Sequence, residues 1–485
     1  MAAEKDSNSY RSILKGISLF GGVKVFEILI NLIRGKFVAI FLGPGGVGIS
    51  SIFANVSATV SQLSSCGLNL AIVKEVVSAK EEPERLYQVI GVSRRLTLAT
   101  AIFGAVLCIL LAPLLADFSF GSRQLTSQFL YIALAVFFIV DNGGKLAVLQ
   151  GLQEVKRLSK STLIGALAGL IVGVPLYWKF GNAAIAPAIA GLTFCQNLFY
   201  TTQLHGACRH LPRASIRISS HTPLIRKLFA LGIILLASDM IGNICNYLLL
   251  AVIRKMGGID DVGFFQSANS ITNQVAGVVF TAMSLDYFPR LSAVASDNRE
   301  MNAVVDRQAN VICHIILPLA LLLILFAPLV VRILLTAKFE VIVPLLRWMA
   351  LGVVIKALAY PMGYITFAKD NKSVFFWLEG ITANILFLIA PIIFFHWFGL
   401  TGFGYGMVAE QSLCFIIYYL VNRRLYGYRP SSETVRNFAI TVCATGMTLL
   451  ASFIPNDITA YSIMGVMTAA AVIYCTLRLK RNIRK

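Results

Sequence analysis

Lys24, Glu27, Asn31 and Arg34 stand 3, 4 and 3 residues apart inside an otherwise apolar stretch of about residues 13–42. At ~100° per residue this spacing puts all four on one face of a helix. Charge at membrane depth costs roughly 2.5–3.5 kcal/mol per residue on insertion scales and faces a bundle interior or a water-filled cavity. The stripe therefore predicts a helix lining a polar cavity, more positive than negative and so suited to an anionic cargo. Lys145 and Lys356 are further deep cations. Lys145 has a neutraliser in Asp141 four residues earlier on the same face, and Lys24 and Glu27 are placed to pair in the same way. The deep acids are Glu27, Asp141, Asp239, Glu379 and Glu410. Each could bind Na⁺ or take up a proton, and a hydrogen bond to a neighbouring helix explains an isolated acid equally well. Asp239, Asn243 and Asn246 form a second stripe, and Gln266, Asn269 and Asn273 a third. With Asn31 these amides suit either interhelical hydrogen bonds or the lining of a cavity for hydroxyl-rich cargo.

The elements that must position these residues are membrane spans. The 485-residue chain is 57% hydrophobic and 13% charged, with a mean hydropathy of +0.76; globular proteins carry about 25% charged residues. Apolar runs long enough to cross the hydrocarbon recur along its length. About fourteen spans are expected, near 13–42, 46–76, 90–115, 126–150, 161–179, 184–204, 228–253, 263–289, 309–334, 343–368, 374–396, 402–421, 437–454 and 459–478. The formal net charge of +19 is mostly topological. With a cytoplasmic N-terminus, 29 of the 42 Lys and Arg fall at cytoplasmic ends and loops and six on the opposite side. This positive-inside bias puts both termini in the cytoplasm and attracts anionic headgroups; it argues against nucleic acid as a partner. The first span is too long and too charged for a cleavable signal. The nine cysteines form no CxxC, and the five histidines show no ligand spacing. No metal site, catalytic triad or P-loop is legible, so neither a cofactor nor an enzymatic activity is expected.

Two stretches look alike. "FLGPGGVGISSIFANVSATV" joins spans one and two, and "RKMGGIDDVGFFQSANSITNQV" joins spans seven and eight. Aligning Val47-Gly48 on Val262-Gly263 gives an offset of 215 residues. Six spans separate the copies, which implies two parallel six-helix halves related by an axis along the membrane normal, with substrate between them and access alternating by rocking. The expected organisation is a six-helix lobe over 1–215, a second over 216–430, and two additional helices with a basic cytoplasmic tail over 431–485. The basic segment of about 205–227 would tie the lobes together.

At these residues the chain resembles Wzx-type O-antigen and polysaccharide flippases of the multidrug/oligosaccharidyl-lipid/polysaccharide (MOP) exporter superfamily. "LGPGGVG" after a charged first helix, "VGFFQSANSITNQV" with "DYFPRLSAV", and "VIKALAYPMGYITFAKDNKSVFFWLEG" carry the resemblance over roughly residues 10–425. It implies an all-α polytopic protein with its two lobes in a V around a central cavity, in the bacterial cytoplasmic (inner) membrane. It also implies a cargo of oligosaccharide on undecaprenyl diphosphate, moved to the outer leaflet, and a polysaccharide polymerase or assembly machinery as a partner. Arg34 sits where the related lipid II flippase has a functional arginine in helix one. The cavity cations expected to meet the cargo are Arg34, Lys356, Lys24 and Lys145, with Na⁺ or H⁺ as a coupling ion. The alternatives are a cation-coupled drug antiporter of the same superfamily, which needs a net acidic lining, and a membrane-integral enzyme, which needs catalytic loops larger than the short outer loops here.

Overall fold

A computed structural model describes the backbone of residues 2–210 and 222–483, and the side chains of these except 2–25, 27, 155, 222–223, 227, 230–238, 278–279, 281–286 and 481–483. The described residues are almost entirely helical. In chain order the helices are α1 (Ala2–Ser65), α2 (Leu68–Ser78), α3 (Pro83–Phe120), α4 (Gln128–Gly151), α5 (Val155–Phe180), α6 (Ile185–Cys208), α7 (Thr222–Gly257) and α8 (Ile259–Ala293). They continue with α9 (Asn298–Leu334), α10 (Val343–Ala368), the one-turn α11 (Lys372–Phe375), a π-helical stretch (Phe376–Thr382), α12 (Ala383–Phe398), α13 (Gly402–Tyr426), α14 (Ser432–Ala451) and α15 (Asp457–Ile483). Helix covers most of each expected span interval. Nine stretches of described residues are long and apolar enough to cross a membrane. Their outer faces remain apolar: Leu110, Ile171, Trp178, Trp397 and Val466 are each about 70% exposed, as lipid-facing side chains are.

The turns explain how the runs are separated. α1 is broken by one residue, Gly43, with Pro44 opening its second half. The expected second span is itself interrupted, since Cys66 and Gly67 have positive φ between α1 and α2; Gly67 tolerates that conformation without a Cβ. After α4, Glu154 N–H bonds to the Leu149 carbonyl (3.1 Å) with Gln153 at φ +61°. After α10, Asn371 N–H bonds to the Thr366 carbonyl (3.1 Å) with Asp370 at φ +52°. Both are six-to-one helix C-caps. α5 and α12 likewise each end at a glycine, Gly181 and Gly399, in the same unusual conformation and followed by a short 3₁₀ turn. The exposed Trp178 and Trp397 precede these two turns.

Contacts divide the chain within α7 into two compact units, Met1–Tyr247 and Leu248–Lys485. The expected linker of 205–227 lies partly outside the described residues. In the first unit α4 packs on α3 and α6, and α5 on α1 and α6. A core of Leu68, Ile72 and Val76 of α2 meets Val89, Val148, Leu149 and Leu204 at one end. In the second unit α13 packs on α10 and α12, and α9 carries α10, α14 and α15. The last two helices are held by polar contacts as well as by Leu317, Leu321 and Ala471. Asn437 donates to Asn310 Oδ1 (2.8 Å), Asn310 donates to Thr434 Oγ1 (3.2 Å), and Ser431 N–H bonds to Asp306 (2.7 Å). Arg347 donates to the carbonyls of Ile324 and Ser452 (both 3.3 Å), fastening α10 to α9 and to the end of α14.

Candidate functional site

α10 places Lys356, Tyr360, Gly363, Tyr364 and Phe367 along one face by their 3- and 4-residue spacing. All five line a cavity of about 480 Å³ in the second unit. α13 closes it with Glu410, Gln411, Cys414 and Tyr418. The third wall is the π-helical stretch, where each turn carries an extra residue. Its loosened backbone is held by Asn384, which donates to the carbonyls of Glu379 (3.1 Å) and Gly380 (2.9 Å). π-turns of this kind concentrate at functional sites. This one aims Glu379 at Gly363, where a Cβ would stand 2.6 Å from Glu379 Oε1. The glycine thus makes room for the carboxylate.

The cavity therefore gathers three ionisable side chains from three elements. Glu379 accepts a hydrogen bond from Tyr418, and Glu410, 4% exposed, accepts one from Gln411 (2.7 Å). Lys356 is electrostatically coupled to both carboxylates and lies over the Phe280 ring of α8, 6.0 Å from its centroid. Among the described residues no carboxylate comes within ion-pair distance of its Nζ. Lys356, Glu379 and Glu410 were each legible as isolated deep charges. The partners Tyr360, Asn384, Gln411 and Tyr418 were not picked out, although the spacing 356/360/364 on α10 and 410/414/418 on α13 carries the signal.

The first unit holds the other named residues. Arg34 is half-buried against α5; its Nη1 is 3.4 Å from where a Gly169 Cβ would stand, and the guanidinium acts electrostatically on the Tyr177 phenol. Asn31 is exposed. The side chains of Lys24 and Glu27 lie outside the described residues. Asp141 and Lys145, 8% and 6% exposed, form a 2.6 Å ion pair. Lys145 also donates to Thr201 (2.8 Å) and Asn197 to Asp141 (2.6 Å), so the pair sits in a closed network between α4 and α6. On α7, Asp239 is exposed, while Asn243 and Asn246 donate to Gln62 and Asn55 of α1. On α8, Asn273 donates to Asn269 (2.9 Å), and among the described residues Gln266 Oε1 is buried without a partner.

Known proteins share this sequence and fold. The family described as polysaccharide biosynthesis protein matches residues 37–344. The lipid III flippase of Escherichia coli (strain K12) is 21% identical over 394 residues, 80% of this chain and 92% of that protein. A putative O-antigen transporter of Shigella flexneri is 22% identical over 305 residues, 61% of this chain and 70% of that protein. Among solved structures, the lipid II flippase MurJ in an inward closed conformation matches with a TM-score of 0.73 at 16% identity, covering 96% of this chain and all of that one. With the family match running over residues 37–344, more than half of its length, the chain belongs to the polysaccharide biosynthesis protein family.

Proposed function

We propose that the protein carries undecaprenyl-diphosphate-linked oligosaccharide from the cytoplasmic to the outer leaflet of a bacterial inner membrane by alternating access, and is not an enzyme. The family and the names of its relatives support the cargo class. The observation that carries the reading is Arg34. It is a guanidinium in an apolar helix, and among the described residues no carboxylate pairs with it. Lipid tails can stay in the bilayer while the headgroup crosses, so the barrier is the diphosphate and its sugars. Arg34 offers a planar fork to phosphate oxygens. An inside-negative potential favours expulsion of the anion by roughly 2.3 kcal/mol per charge per 100 mV. In this reading Lys356 meets the same cargo, Glu379 or Glu410 senses a Na⁺ or H⁺ gradient, both termini are cytoplasmic, and a polymerase takes the product.

The test is surface polymer in a cell whose export depends on this protein. Arg34→Ala and Lys356→Ala should strongly reduce it at normal membrane protein levels. Arg34→Lys should retain part of it, and Arg34→Glu should be worse than Ala because repulsion adds to lost attraction. Full export by both alanine variants would overturn the reading. The cavity of the second unit, with two carboxylates to one ammonium, favours a second reading as an antiporter of cationic drugs. Ethidium efflux from proteoliposomes that vanishes in Glu410→Gln would establish it.

A further inference from the structure

The charged cavity of the second unit is also an aromatic one. Tyr360 lies flat on Phe280, with ring centroids 4.4 Å apart and planes 11° apart. Its hydroxyl bonds to the Tyr364 hydroxyl (3.0 Å) and donates to the Phe280 carbonyl (3.4 Å). These contacts fix the ring before any ligand arrives, which removes an ordering cost from binding. Phe375 and Phe387 line the same space, and Glu379, Glu410 and Gln411 line it with acidic and amide groups. Its volume falls within the roughly 300–1,000 Å³ of small-molecule sites. Rigid ring faces match the C–H-rich face of a pyranose, and carboxylates and amides match its hydroxyls.

We propose that this cavity is a sugar subsite, which takes a sugar ring of the lipid-linked glycan. The proposal rests on the flippase reading. It gives Tyr360 the role of stacking platform, and Glu379, Glu410 and Gln411 the role of hydroxyl partners. Lys356 offsets the carboxylates and donates to a ring substituent.

The experiment measures binding to the full chain in nanodiscs. The probes are bare undecaprenyl diphosphate and undecaprenyl diphosphate carrying N-acetylglucosamine or galactose. At least one glycosylated lipid should bind about tenfold tighter than the bare lipid. Tyr360→Ala should abolish that gain and leave bare-lipid affinity unchanged, whereas Tyr360→Phe, which keeps the ring, should retain most of it. Phe387→Ala serves as a second ring deletion should Tyr360→Ala fail to fold. Equal affinity for bare and glycosylated lipids, or equal weakening of both by the ring deletions, would overturn the subsite and leave the flippase reading standing. Failure of every probe, bare lipid included, would overturn both.

Discussion

Gly43 and Gly258, 215 residues apart, hold the same kind of backbone: φ +67° with ψ −169°, and φ +104° with ψ 178°. That separation is the offset at which the two Gly-rich turns align in the sequence. The region is essentially closed to any residue with a Cβ, at a cost of about 1–3 kcal/mol. Each glycine ends one long helix and starts the next within one residue. A Cβ at either position would meet nothing within 4 Å, so the penalty of substitution is purely one of backbone conformation. Gly43→Ala and Gly258→Ala should each lower the thermal midpoint of the purified protein, followed by tryptophan fluorescence. Gly35→Ala, equally uncrowded but inside a helix, should leave it unchanged or raise it, because alanine is the better helix former by about 1 kcal/mol. Equal behaviour of the three variants would mean that the turn conformation carries no energy.

The spans were legible because a run of about twenty apolar residues has few alternatives to a membrane helix, and the first turn because its glycines sit between two such runs. The Asp141–Lys145 pair was legible from its spacing alone. The Cys66–Gly67 break was not, since it falls inside a run whose hydropathy does not change. Nor was the π-helical stretch at Glu379, which depends on Asn384 satisfying freed carbonyls. Lys356, Glu379 and Glu410 each stood out as rare charges. That they share one cavity is a property of the packing of α10 against α13, and no spacing in the chain encodes it.

Asp141 and Lys145 should behave as a structural unit. Both are buried, and Asn197 and Thr201 complete their hydrogen bonds. Breaking such a pair from one side costs about 3–5 kcal/mol, because an uncompensated charge is left behind, whereas replacing both partners is often neutral. Lys145→Met should therefore sharply lower thermal stability and transport, and Asp141→Asn combined with Lys145→Met should recover most of both. A double variant that is stable yet transports nothing would assign Lys145 to the cargo.

The last two helices should be required for the stability of the second unit. Asn310 of α9 has its partners on α14 in Thr434 and Asn437, and lipid offers no replacement hydrogen bonds. Asn310→Leu leaves Asn437 without its acceptor, while Thr434 keeps Ser431 (2.9 Å), and should cost about 1–3 kcal/mol. Ending the chain before Ser432 exposes the same face of α9 and should lower the melting temperature further. An unchanged melting temperature in the shortened protein would show that α14 and α15 are accessory to the fold.

Gly363 offers a way to move Glu379 without changing it. An added Cβ would lie 2.6 Å from Glu379 Oε1 and 3.4 Å from Tyr418 Cε2. Something must shift, and the mobile end of the Glu379 side chain gives way more readily than a packed ring. Gly363→Ala should therefore leave thermal stability within about 1 kcal/mol, since helix propensity offsets part of the crowding. It should nevertheless reduce transport strongly, because the carboxylate leaves its hydrogen bond with Tyr418. Gly352→Ala is the control on the same helix: its Cβ would meet Met407 Cγ at 2.8 Å, a flexible side chain outside the cavity, and transport should stay near normal. The decisive comparison is the double variant. If Gly363 acts through Glu379, Gly363→Ala should add little to the loss already caused by Glu379→Ala, because contacting residues do not add. Fully additive losses in reconstituted transport would show that Gly363 serves helix packing instead, and that the position of the Glu379 carboxylate is unimportant to the cavity.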